Sequence, residues 1–275
     1  RHSGRTLGTV TRHFLPQTHM RNDSKVTEGF TLIELLVLIA ILAILAALLL
    51  PVLSSAKAKS RRTVCVNDLH QISLGVRMYS DDSSDASPSS GSAGVTLANV
   101  ETLYSGYKAL MKNYVGLKGA SSPQDKLFAC PADVFNVGEL LNDRAHALQF
   151  VKASMHDSPA FDYSSYAFNG GDNVTRHFGE ARLTLPGLTG VKLSSVNHPA
   201  RTILLAEVPA LLPYSWHDPS SHGVAYNKGL NYRDSKNVVS FVDGHVSYLK
   251  MYCTDRIAAC LTNPPAGYDY QWSPD

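Results

Sequence analysis

The chain has 275 residues, with 25 Lys+Arg, 23 Asp+Glu and 44% apolar residues. That apolar content excludes a disordered tail and a disulfide-only miniprotein, and the length allows one or two domains. A net charge of +2 gives no electrostatic argument for nucleic-acid binding. The charge is unevenly placed. Residues 1–29 carry Arg1, Arg5, Arg12, Arg21 and Lys25 against Asp23 and Glu28, so a small basic head precedes a near-neutral body. Such an asymmetry reads as a targeting signal.

The next segment, Phe30 to Leu50, is FTLIELLVLIAILAILAALLL, apolar at every position except Thr31 and Glu34. As a helix it spans roughly 31 Å, about one hydrocarbon core. Signal-peptide cores are shorter, and a surface helix would show a polar face. The segment is therefore expected to span a membrane. Glu34 is its one charged group. A carboxylate inside a bilayer is costly unless paired, so Glu34 is a functional candidate, although near the helix start it could also reach headgroup water.

Gly29-Phe30-Thr31-Leu32-Ile33-Glu34-Leu35-Leu36-Val37 resembles the cleavage site and N-terminal helix of type IV prepilins and type II secretion pseudopilins. The family pattern is a glycine, a phenylalanine, then a glutamate as the fifth residue after the cut. Pro51 falls where pilins often carry a helix-bending proline. The resemblance implies that a membrane-embedded prepilin peptidase cuts after Gly29 and that the new amine of Phe30 is methylated. It implies that this amine pairs with Glu34 of a neighbouring subunit in a helical fibre. It also places the N-terminus in the cytoplasm, the helix in the bacterial inner membrane as a single pass, and the remainder in the periplasm or outside the cell. Residues 1–29 are then the leader. Met20 is expected to be the true start, which gives a leader of ordinary length, with residues 1–19 an upstream extension. The basic cluster Lys57, Lys59, Arg61 and Arg62 follows the helix, so charge alone does not orient it.

Past Pro51 the helix is expected to continue. Leu69, Ile72, Val76 and Tyr79 follow helical spacing and mark one buried face. The spine is taken as residues 30–79. The Ser-rich run 80–94 reads as a polar linker, and 95–275 as a globular head. Within the head, Leu103–Val115 and Glu139–Val151 have helical spacing. Thr202–Ala206 reads as a strand. Asn237–Val242 and His245–Met251 flank Asp243-Gly244, a hairpin signal. A two-residue loop there would pair Phe241 with Val246, Val239 with Tyr248 and Val238 with Leu249. The expected fold class is α+β and pilin-like, a long N-terminal helix packed on a head with an antiparallel sheet. Phe128-Ala129-Cys130-Pro131, Ser165-Tyr166-Ala167-Phe168-Asn169, Pro199–Glu207 and Phe241-Val242-Asp243-Gly244-His245-Val246 are similar to the large prepilin-like families of Planctomycetes and Verrucomicrobia. Those families carry an H-x9-DG motif. Here Arg233 stands in place of its histidine, and the nearest upstream histidine is His222.

Four cysteines, Cys65, Cys130, Cys253 and Cys260, allow three pairings. The favoured one joins Cys253 to Cys260 in a compact C-terminal loop, much as many pilins close one, and Cys65 to Cys130 between spine and head. Free buried thiols are the alternative. There is no Cys-x-x-Cys spacing to signal zinc or thioredoxin-like chemistry. His217 and His222, in His217-Asp218-Pro219-Ser220-Ser221-His222, could supply metal ligands, but are expected to be exposed imidazoles of a turn. Asn169, Asp172 and Asp243 are weak calcium candidates, since the alternating ligands of an EF-hand are missing; no cofactor is otherwise expected. G-x-S-x-G, H-E-x-x-H, Walker A and Rossmann patterns are lacking, so no enzymatic activity is expected. The expected role is a structural subunit of a type II secretion pseudopilus or a pilus-like fibre. Its partners are the prepilin peptidase, copies of itself and other pilin-like subunits, and the inner membrane, with no nucleic acid. The alternatives are a tethered extracytoplasmic binding module and, behind it, a tethered hydrolase.

Overall fold

The computed structural model describes residues 29–89, 104–134, 136–138, 149–151, 154–178, 181–211, 214–217, 235–252 and 262–275. The chain divides into two compact units, residues 1–50 and 51–275. Helix α1 (Leu32–Asp82) contributes residues to both. In the first unit its side chains, Glu34 apart, are apolar all round and exposed, as at Leu32 (80%) and Ile44 (63%). The helix is long and apolar enough to cross a membrane. It stays helical through Pro51, whose missing N–H leaves the Ala47 carbonyl without its usual donor.

In the second unit the same helix changes character. Cys65, Leu69, Ile72 and Val76 are fully buried and Tyr79 is partly so, the face that the spacing predicts. Gly75 lies on that side because a Cβ there would meet Val115 Cγ1 at 2.7 Å. The helix ends at Asp82 rather than at the expected Tyr79. The described part of the polar run, 80–89, is not a free linker. Ser80 and Ser87 are buried, Ala86 bridges Lys192, and the Ser87 hydroxyl donates to the Leu188 carbonyl. Serine hydroxyls that find backbone acceptors can be buried, which composition alone does not reveal.

The head is built on an antiparallel sheet of four strands in the order β3-β6-β7-β8: β3 (Tyr166–Phe168), β6 (Ile203–Glu207), β7 (Ser235–Phe241) and β8 (Val246–Met251). Two further pairs stand apart, β1 (Asn136–Gly138) with β2 (Gln149–Val151), and β4 (Thr175–Phe178) with β5 (Ala181–Thr184). The central strand β6 is buried at all five positions. This is the expected α+β, pilin-like arrangement. Helix α2 (Tyr107–Met111) is much shorter than the Leu103–Val115 pattern suggests; it buries Tyr107 against Phe128 and Phe168, and Met111 in the same core. The helix expected over Glu139–Val151 is not formed at its C-terminal end. Gln149–Val151 is a strand, and aromatic and β-branched residues favour that pleated pairing. Residues 139–148 lie outside the described residues.

The hairpin forms, but its register differs by one residue from the expected one. Val238 opposes Tyr248, Val239 opposes Ser247 and Ser240 opposes Val246. The cause is the loop. Phe241 N–H donates to the His245 carbonyl (2.9 Å), leaving three residues, Val242-Asp243-Gly244, in the turn. Gly244 takes φ +97°, the left-handed position such three-residue loops require. A one-residue slip moves a whole strand's side chains to the other face. Here it leaves β8 a half-buried outer strand beside a buried β7.

Polar contacts fasten the second part of α1 to the head. The Tyr166 hydroxyl donates to Asp68 (3.0 Å), the Arg77 guanidinium donates to the Val242 carbonyl, and Arg62 lies 4.4 Å over the Tyr248 ring. Lys108, fully buried, donates to the carbonyls of Asp162 (2.9 Å) and Tyr163 (2.7 Å) and pairs with Asp125 (3.1 Å). Those two carbonyls belong to consecutive left-handed residues, with φ 51° and 53°. Burial holds the Lys108 ammonium below the usual lysine range, with Asp125 opposing.

Burial lifts the Asp68 carboxyl from 3.8 to about 6, against the pull of the Tyr166 hydrogen bond. A proton therefore binds the folded chain more tightly than the unfolded one. Stability contributed by the protonated acid is present at low pH and is lost as pH rises from about 4 through about 6, a difference on the order of 2 kcal/mol. Asp68→Asn keeps an acceptor for Tyr166 and removes the titration. In urea denaturation it should be more stable than the parent by on the order of 2 kcal/mol at about pH 8, with no gain at about pH 4.

Candidate functional site

The N-terminal feature is built on local chemistry. Thr31 precedes the first helical residue and Glu34 is the third. Thr31 N–H and Thr31 Oγ1 both donate to Glu34 Oε2, at 2.9 and 2.7 Å, and Glu34 N–H donates back to Thr31 Oγ1 at 3.2 Å. This is a reciprocal capping box, which satisfies backbone donors that a helix start leaves open. The pattern is readable in the sequence as Thr-x-x-Glu, and sequence reasoning missed it by treating Glu34 as a lone acid. Both bonds to Glu34 end on Oε2, which leaves Oε1 for a second partner. Gly29 has open space around it and Phe30 is exposed, so the bond between them is sterically accessible.

In the head, Cys65 of α1 and Cys130 are joined by a disulfide, Cα–Cα 5.4 Å, across 65 residues of sequence. Cys253 and Cys260 lie outside the described residues, as do His222 and Arg233. Cys130 is placed by a chain of bonds. Asp133 accepts from Ser154 Oγ (3.0 Å), Met155 N–H (3.0 Å), His156 N–H (2.9 Å) and Ser165 Oγ (2.7 Å). Ser165 Oγ in turn accepts from Cys130 N–H at 3.0 Å. Burial raises the Asp133 carboxyl above the usual range, and the four hydrogen bonds oppose that.

Glu207, the last residue of β6, is fully buried and points at the same place. Its Oε1 is 2.7 Å from His217 Nε2 and 3.6 Å from Cys130 Sγ; its Oε2 accepts from Val238 N–H at 2.9 Å. The expectation of an exposed turn imidazole at His217 is corrected here. Its side chain is 3% exposed, because the ring turns onto Glu207 and stands edge-on to Tyr248. Sequence reasoning missed this convergence because the four residues come from distant segments.

The calcium candidates Asn169, Asp172 and Asp243 each make hydrogen bonds of their own. The buried Asn169 amide nitrogen donates to the carbonyls of Ile203 and Trp272, both at 2.8 Å. Asp172 accepts from Val174 N–H at 3.1 Å. Asp243 accepts from His245 N–H at 3.1 Å and lies 2.6 Å from His245 Nδ1.

The family profile described as the prokaryotic N-terminal methylation motif matches residues 25–50. The match spans the Gly29–Phe30 bond, the capping box and the apolar stretch. It supports a prepilin-type protein, membrane-anchored by a single apolar helix, and implies processing by a prepilin peptidase and assembly into pilin-like fibres. No curated protein and no solved structure matches the chain.

Closing a 65-residue loop should stabilise the head by about 4 kcal/mol in the loop-closure account. Replacing both cysteines, Cys65→Ser with Cys130→Ser, should lower the unfolding free energy by about that amount in guanidinium titrations, with a shift in midpoint.

Proposed function

We propose that the chain is a structural, non-enzymatic subunit of a type II secretion pseudopilus or a type IV pilus-like fibre. A prepilin peptidase cuts after Gly29, Phe30 is N-methylated, and the subunit waits in the inner membrane with its N-terminus cytoplasmic and its head on the far side. The observation that carries this reading is the coincidence of the methylation motif with an exposed, all-round apolar helix whose first turn is capped by Glu34. The likeness of the head segments around Cys130 and Asp243 to the H-x9-DG prepilin-like families belongs to the same reading.

The physical logic is charge neutralisation. Cleavage creates a cationic amine at the rim of an apolar rod. Glu34 Oε1 offers a neighbouring subunit's amine a partner while Oε2 keeps its capping bonds. Helix-to-helix burial in a fibre adds little by itself, since lipid is already apolar. A buried ion pair therefore contributes register, and the heads contribute specificity.

Mass spectrometry of the mature N-terminus from a processing-competent host should find N-methylated Phe30. An intact leader would overturn the reading. Gly29→Ala should leave the precursor uncut. Glu34→Gln is the discriminating change for assembly, because glutamine can still close the capping box. It should leave export and helix content unchanged and abolish fibre incorporation. A chain that only tethers a binding head would keep its function with Glu34 substituted in this way.

A further inference from the structure

Cys65, Cys130, Glu207 and His217 are the one group among the described residues in which three or more cysteine, histidine or carboxylate side chains converge, all donor atoms lying within 4.8 Å of one another. Each is buried at the side chain: Cys65 and Glu207 completely, Cys130 at 4% and His217 at 3% exposure. A buried disulfide has no need of a carboxylate beside it. Burying Glu207 is costly, and the cost is met only in part by one backbone N–H and one imidazole. We propose that reduction of the Cys65–Cys130 disulfide opens a binding site for a zinc-type divalent cation, held by both thiolates, His217 Nε2 and Glu207 Oε1.

The donor set and spacing fit that ion. Two sulfurs, one imidazole nitrogen and one carboxylate oxygen are the mixed ligands zinc accepts in four-coordinate sites. Around a tetrahedral centre with bonds of about 2.0–2.3 Å, neighbouring ligand atoms stand roughly 3.3–3.8 Å apart. Cys130 Sγ already lies 3.6 Å from Glu207 Oε1 and 3.7 Å from His217 Nε2. The Glu207–His217 contact, at 2.7 Å, and the sulfur–sulfur bond must open, and Cys65 Sγ lies within 4.8 Å of every other donor. An outer layer is in place. Val238 N–H fixes the second oxygen of Glu207, and Tyr248 stands against the His217 ring. Metal ligands are commonly oriented by such contacts.

The chemistry balances with a dithiol reductant. The dithiol is oxidised to its disulfide, and two electrons and two protons pass to the cysteine sulfurs, giving two thiols. The cation then displaces both thiol protons, and the proton on His217 Nε2 if it carries one. The same two sulfurs cannot serve both states. The contact between α1 and the head is thus covalent when oxidised and metal-bridged when reduced.

The test uses the full chain in detergent, reduced anaerobically with a phosphine and titrated with Co2+. The phosphine takes an oxygen atom from water to become the phosphine oxide, while the two protons of that water and two electrons give the two thiols. One equivalent should bind, with thiolate-to-cobalt charge transfer and the intense visible bands of a four-coordinate ion, and Zn2+ should displace it. The disulfide form should show neither. His217→Ala and Glu207→Gln should each weaken binding roughly tenfold or more, the scale that outer-layer changes already reach. Pulse alkylation of the reduced wild-type chain, mapped by peptide mass spectrometry, should show Zn2+ protecting Cys65 and Cys130 but not Cys253 or Cys260. Absence of cobalt binding overturns the proposal, as does an unchanged affinity and spectrum in both variants, or protection confined to Cys253 and Cys260. If reduction abolishes the near-UV circular dichroism of the head, Zn2+ should restore it, and failure to do so also overturns the proposal.

Discussion

The head depends on the docking of residues 61–82 of α1 against it. Leu69, Ile72 and Val76 supply a stripe with no exposed surface. Polar contacts then set where along the helix the sheet sits, through Arg62 to Tyr248, Asp68 to Tyr166 and Arg77 to Val242. Apolar packing alone is not directional, so these contacts and the Cys65–Cys130 link give the interface its register. These contacts land on the two edge strands, β3 and β8, and on the β7–β8 turn; between them β6 is buried throughout and carries Glu207 at its end.

Much of this was legible in the residues. An uninterrupted apolar run followed by 3-4 spacing at Leu69, Ile72 and Val76 states in sequence that one helix changes solvent partway along. Thr202–Ala206 announced a buried strand by its unbroken apolar character, and Asp243-Gly244 announced a turn. The turn's length was not legible. Whether Gly244 sits second in a two-residue loop or third in a three-residue one depends on the bond from Phe241 to His245, and that choice reverses which side of β8 faces the core. The short pair β1–β2 was hidden because Glu139–Val151 satisfies a helical pattern as well as a strand one.

The buried polar groups were the least legible part, for a physical reason. Lys108, Asp133 and Glu207 look like surface residues by type. Each is buried only because partners from distant segments satisfy it: carbonyls at Asp162 and Tyr163, amides at Met155 and His156, the amide of Val238. Periodicity reports which face of an element is apolar. It carries no information about a hydrogen bond between segments far apart in the chain. The same blindness concealed His217, whose partner Glu207 stands at the end of a different element.

The capping box at Thr31 and Glu34 bears on how a precursor can dwell in lipid at all. An isolated carboxylate entering a bilayer would drag water with it or take up a proton. Here one of the two oxygens that share the charge is already hydrogen-bonded by the chain's own hydroxyl and amide, at the first turn of the helix. In the proposed fibre, two of the hydrogen bonds that water would otherwise give this carboxylate are thus already made within the chain, so pairing with a neighbour's amine would displace less water than a bare glutamate would shed.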